Sequence, residues 1–229
     1  MIDFAILLSD SARARSYIQH LCGSDLIPNQ VLLTPGEWVP PEYLISPKGV
    51  GFDFLEPVSA TIKKHRLDVI NCKTQNINDQ DTIEKIKNIH GNFLIFGGAG
   101  GQILKKEVLS QGVPILHVHP GIVPYFRGST TIYYSALAEK KAGVSAFFFS
   151  EKIDEGPVVL TKEFDLMKGV DFDYVFDPEI RGLTLVDAVK QLDKDTSTAK
   201  QNVRSKHLPY FIIHPVLKHV AMLNNTMNG

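Results

Sequence analysis

"NFLIFGGAGGQILKKEVLSQGVPILHVHP", residues 92–120, reads as a strand, a glycine-rich loop, a short helix and a second strand. Phe93 to Gly97 form the unbroken apolar run expected of a strand covered on both faces, Lys105–Leu109 has helical character, and a second run closes at Pro120. The same alternation extends upstream. Phe4–Leu8 is a short apolar strand ended by Ser9 and Asp10, which can cap a helix carrying Ala14, Tyr17, Ile18 and Leu21. "VLLT" (31–34) is a further strand, and the Pro- and Gly-bearing excursion from Pro35 to Gly51 is long enough for a functional loop. A helix over Ser59–His65, a strand "DVINC" (68–72) and a helix "DTIEKIKNIH" (81–90), opened by a capping Asp, lead back to residue 92.

Downstream, "TTIYYSALAEK" (130–140) predicts a helix, and "VSAFFFS" (144–150) and "GPVVLTKEF" (156–164) predict strands. Strands and helices alternating at this spacing predict an α/β fold: a mostly parallel open sheet with flanking helices. Beyond residue 180 the pattern turns helical, in "GLTLVDAVKQLDKD" (182–195) and in "HPVLKHVAML" (214–223), where Pro215 suits a first helical turn. The expected organisation is a main domain over residues 1–180 and a small C-terminal helical addition, 181–229, packed on the same core.

Composition narrows the function. The 24 Lys+Arg against 25 Asp+Glu leave a net charge of -1 with no basic block. That is not the footprint of a nucleic-acid or anionic-membrane partner, so a small molecule is the expected one. Cys22 and Cys72 are too few for a disulfide framework, which suits a reducing compartment. "MIDFAILLSD" lacks the basic start of a signal peptide, and no apolar run approaches the roughly 18 residues of a membrane span. A cytoplasmic protein is expected.

Ligands of open α/β sheets bind beyond the carboxyl ends of the strands, which directs attention to two segments. Gly97, Gly98, Ala99, Gly100 and Gly101 let a backbone come close to a ligand, yet match neither the dinucleotide fingerprint nor the Walker pattern. A phosphate loop, a plain turn and a loop closing on a planar cofactor all remain open. His117 and His119 alternate with Val118, so both imidazoles point to one side of their strand, and Asp154 in "SEKIDEGPV" can join them over the same edge. Two histidines and a carboxylate fit an open metal site, an acid–base site, or a strand end with surface histidines.

The run "HVHPGIVPYFRGSTTIYYSALAEKKAGVSAFFFSEKIDEGPVV" resembles the core of the folate-dependent formyltransferase family. The matching pieces, in order, are His119-Pro120, Val123-Pro124, Arg127-Gly128, Gly143-Val144-Ser145 and Asp154-Glu155-Gly156. The resemblance implies a Rossmann-like formyltransferase fold. It also implies formyl transfer from 10-formyltetrahydrofolate to a primary amine through a tetrahedral intermediate, with His119 and Asp154 in catalysis and no metal. Where the family has Asn, this chain has His117, whose ring N–H can still donate to an oxyanion. "FLIFGGAGGQILKKEVL" is similar to the family's folate-holding strand and loop, which implies Phe96, Gly97, Gly98, Ala99, Gly101, Ile103 and, across the site, Ile153 as cofactor contacts.

Within the family the chain is similar to the short amino-sugar and pseudaminic-acid-precursor enzymes, partly through its tail "LPYFIIHPVLKHVAM" (208–222). The loop after the first strand, "LLSDSARARSYI", has no glycine, unlike the purine-pathway member, and the length and charge leave no room for the tRNA enzymes' extra domain and basic surface. An amino-sugar acceptor is therefore expected. Its contacts are expected to be Tyr125, Arg127 and Thr130, with Tyr210 or His214 from the tail unless these pack in the core. A homodimer is compatible with the sequence.

Overall fold

The computed structural model describes residues 2–45, 47–201 and 208–227, with side chains as far as Leu223. Its centre is a seven-stranded sheet in the order β3-β2-β1-β4-β5-β6-β7. The strands are β1 (Phe4–Leu8), β2 (Gln30–Leu33), β3 (Val69–Asn71), β4 (Phe93–Gly97), β5 (Ile115–His119), β6 (Lys141–Phe148) and β7 (Val158–Asp165). From β3 to β5 all pairs are parallel, whereas β6 and β7 run antiparallel at one edge. The mostly parallel α/β sheet read from the sequence is the sheet observed. The chain leaves β1 toward β2 and returns to its other side as β4, which opens the crevice where such sheets hold ligands.

Period-2 alternation sorts the side chains onto two faces. Ile6, Ile95 and Val118 pack on one face against Tyr17, Ile18 and Leu185. Leu7, Leu94, Phe96 and Ile115 pack on the other with Ile77, Ile83 and Val108. Both faces are buried, and each buried Val, Leu, Ile or Phe contributes about 1.5–3 kcal/mol. The covering helices are α1 (Ala12–Gly23), α2 (Val58–His65), α3 (Gln80–Lys87), α4 (Lys106–Leu109), α5 (Thr131–Glu139), α6 (Asp177–Lys194) and α7 (Pro215–Met227). No helix among the described residues is long and apolar enough to cross a membrane.

Several boundaries differ from the sequence reading. The cap of α1 is Ser11, whose hydroxyl accepts from Ala14 N, because Asp10 is taken up by Arg15 at 2.6 Å. Likewise Asp79, not Asp81, caps α3. A π-helical turn over Phe172–Phe176 runs into α6, so the division expected after residue 180 meets a continuous helix that begins at Asp177. Among its described residues the 35–51 excursion has no regular element, but it is anchored: Trp38 stacks on Tyr174 and gives its carbonyl to Arg15.

Candidate active site

β5 carries both histidines onto the same face as Phe96, with Val118 buried on the opposite face. The imidazole centroids are 6.0 Å apart. His119 is buried, and its Nε2 lies 2.8 Å from the Phe126 carbonyl and 3.3 Å from the Thr131 hydroxyl, which itself donates to the Pro120 carbonyl. A carbonyl only accepts, so Nε2 carries the hydrogen and the Nδ1 lone pair faces the Asp154 carboxylate, 3.7 Å away. Burial lowers the pKa of His119, against the opposing pull of Asp154 and the Phe126 carbonyl, so the ring is held neutral. Between Nδ1 and Asp154 Oδ2 there is thus a seat for one proton.

Asp154 reaches this position by a detour. β6 is antiparallel, so it ends beside Leu116 at the start of β5, not beside His119. The loop from Phe149 to Pro157 folds back along the sheet face, and Asp154 adopts φ 52°, a left-handed conformation that Asp tolerates better than most residues. Two contacts hold it there. Gly128 N donates to Asp154 Oδ2 at 2.7 Å, and the Arg127 guanidinium brackets the residue by donating to the Ile153 carbonyl and pairing with Glu155.

His117 is half-buried and stacks on Phe149, with centroids 4.6 Å apart and planes 24° from parallel. Its Nδ1 has no hydrogen-bond partner among the described residues. Burial, with Arg181, His119 and Arg13 adding to it, puts its pKa well below the usual histidine range.

The three side chains form the floor of a cavity of about 500 Å³. Phe96, Gly101, Ile103 and Ile153, expected as cofactor contacts, are among the residues that line it, and Gly101 (φ 75°) has open space where a Cβ would stand. Gly97, Gly98 and Ala99 do not line it. Gly97 lies in β4 against Leu8 and Tyr17, the Gly98 carbonyl is occupied by Arg13, and Ala99 faces an adjoining hollow beside Ser9 and Asp10. Nor do the three expected acceptor contacts. Tyr125 is exposed outside the cavity, Arg127 clamps the Asp154 loop, and Thr130 Oγ1 accepts from Ile213 N.

The tail supplies the missing wall. Tyr210 N donates to the Arg127 carbonyl and Ser129 N to the Tyr210 carbonyl, a short bridge that sets Phe211 and Ile212 at the cavity mouth. Tyr210 lines the cavity while stacked between Phe126 and Tyr134, and it is exposed and not part of the core. His214 is exposed and does not line the cavity. Arg13, Phe149 and Phe211 line the site without having been singled out in the sequence. Phe149 lay within the "FFFS" run, but nothing local to Arg13 or Phe211 signals a role.

Gly128 makes the bridge possible, since at φ 99° any Cβ would run into the Tyr210 carbonyl. Gly128→Ala is expected to cost more than about 1 kcal/mol, as Ala does where φ is positive, and to detach the tail. A thermal melt read alongside proteolysis between residues 200 and 215 checks it; unchanged melting and protection would mean that the bridge is not needed.

An open α/β sheet with a neutral histidine facing a carboxylate beyond its central strands has the makings of a group-transfer site. Comparison with known proteins identifies the family. The family model for formyl transferase matches residues 49–175, and the chain belongs to that family. Methionyl-tRNA formyltransferases of Finegoldia magna and Thermodesulfovibrio yellowstonii are both 32% identical over 126 residues, a match to 54% and 52% of this chain. The matched part spans about 40% of the length of these curated relatives. A sugar N-formyltransferase from Shewanella superposes over 99% of this chain and 90% of its own, with a TM-score of 0.56 at 16% identity. The phosphoribosylglycinamide formyltransferase of Anaplasma phagocytophilum covers 89% of this chain and 96% of its own, with a TM-score of 0.60 at 15% identity. These two share the fold.

Proposed function

We propose that the chain transfers a formyl group from 10-formyltetrahydrofolate to the primary amine of an amino sugar. The observation that carries the chemistry is the proton seat between His119 Nδ1 and Asp154. A neutral amine that attacks a formyl carbon must shed a proton, and His119 offers its only free lone pair to receive it. Once protonated, the imidazolium is stabilised by the adjacent carboxylate, and it can return the proton to the departing nitrogen. His117, neutral and with an unpartnered ring nitrogen, is placed to donate to the formyl oxygen as negative charge develops there.

The flat heteroaromatic part of the folate suits the walls at Phe96, Gly101, Ile103 and Ile153, which are apolar and open on the glycine side. Bound there, it supplies the formyl group; the chain's own part is to orient it, exclude water and move the proton.

The cavity mouth favours a sugar as acceptor. Tyr210, Phe211 and Ile212 at the mouth offer apolar and aromatic faces to a sugar ring, while Ser129 offers a hydroxyl for hydrogen bonding. With the folate donor and a panel of 4-amino sugars, pseudaminic-acid precursors, an amino ribonucleotide and methionyl-tRNA, a sugar product heavier by one CO is expected, with activity surviving a chelator. Formylation of the ribonucleotide or tRNA alone would overturn the sugar assignment, and no product from any amine would overturn transfer itself.

A further inference from the structure

We infer that His117, His119 and Asp154 form a binding site for a nitrogen-preferring transition-metal dication such as zinc, and that filling it switches formyl transfer off. The binding half stands on geometry alone. The inhibitory half rests on the transfer reading above, because the ion would take the lone pair that the reaction needs.

Each side chain offers one donor atom, and the three donors lie within 4.8 Å of one another. In a tetrahedral site with bonds of ~2.1 Å, donors stand roughly 3.4 Å apart. The His119 and Asp154 atoms, at 3.7 Å, are nearly in place, so closing the set requires a small swing of His117. Their supports are those of ligands. His119 gives its other ring hydrogen to a backbone carbonyl, which aims Nδ1 inward, as metal-binding histidines are commonly aimed. Asp154 is anchored through Gly128 N, and His117 through its stack on Phe149. The buried Nδ1 of His117 has no partner in the described structure, an unmet demand that a cation would satisfy.

The donor set selects the ion. Arg13 lines the cavity and donates to the Gly98 carbonyl, and Arg181 is tied to Asp177 and Tyr17. Their positive charge weakens the binding of any dication alike; what discriminates is that two imidazoles and one carboxylate suit zinc or cobalt and leave a position open to the cavity, whereas magnesium and calcium need several oxygens. His117 completes the set. The Asn that the resemblance leads one to expect at this position would offer only a weak amide ligand.

Cobalt titration of the chelator-stripped chain tests the site without requiring turnover. One cobalt per chain, with a visible spectrum of low-coordinate nitrogen ligation that zinc displaces, is the expected result, and His117→Asn should weaken it by more than about tenfold, the range that even outer partners command. Zinc should inhibit wild-type formyl transfer reversibly, and whatever activity His117→Asn retains should not respond. No bound cobalt in the wild type, or binding that His117→Asn leaves unchanged, overturns the site. Binding without inhibition overturns the switch alone. Loss of transfer in the stripped enzyme would count instead against the metal-free transfer reading.

Discussion

Replacing His119 with Asn is expected to lower kcat/KM for formyl transfer about 10²–10⁴-fold, the range that a positioned general base supplies. His119 stands at the centre of the site. Its Nε2–H is committed to the Phe126 carbonyl, its Nδ1 faces Asp154, and burial keeps it neutral and ready to accept a proton. An amide has no basic lone pair to replace Nδ1, although its NH₂ can partly satisfy the Phe126 carbonyl. The structural cost should stay within the ~1–3 kcal/mol of one imperfect buried hydrogen bond. Thermal melts and steady-state kinetics separate the two effects: a folded variant with near wild-type turnover would remove His119 from the chemistry.

Asp154→Asn should cost a similar factor, roughly 10²–10⁴-fold, for a different reason. Asn keeps the shape, tolerates φ 52° and still accepts from Gly128 N, so the loop and its Arg127 clamp should hold. What disappears is the negative charge that stabilises the protonated ring. Because histidine and carboxylate act on one proton, the double variant should lose little more than either single one. Losses that multiply would show two independent roles and would dissolve the proton seat.

Much of the architecture was legible along the chain. Continuous apolar runs at β1 and β4, alternating with helical patterns, identify a parallel sheet, since both of its faces must be covered. Alternation along "HVH" places His117 and His119 on one face, with no further information needed. Element ends were less legible. Ser9, Asp10 and Ser11 are all competent caps, and the choice fell to Ser11 because a residue five positions on, Arg15, claims Asp10.

The roles of Arg127 and Thr130 show where local reading stops. Both lie in a loop beside the site, and a basic or hydroxyl side chain there is plausible as a substrate contact. Which way each turns depends on segments distant in sequence: Arg127 on residues 153–155, Thr130 on Ile213. The cavity wall at Tyr210 and Phe211 depends equally on a bridge across more than eighty residues, made possible by Gly128.

The sequence by itself determined the α/β class, the family resemblance and the shared face of the two histidines, because periodicity and short-range spacing are properties of neighbours. Only the tertiary structure decided that Asp154 meets His119 and that the tail closes the cavity. An antiparallel β6 sends its loop to the wrong end of β5, and only long-range packing brings the carboxylate back.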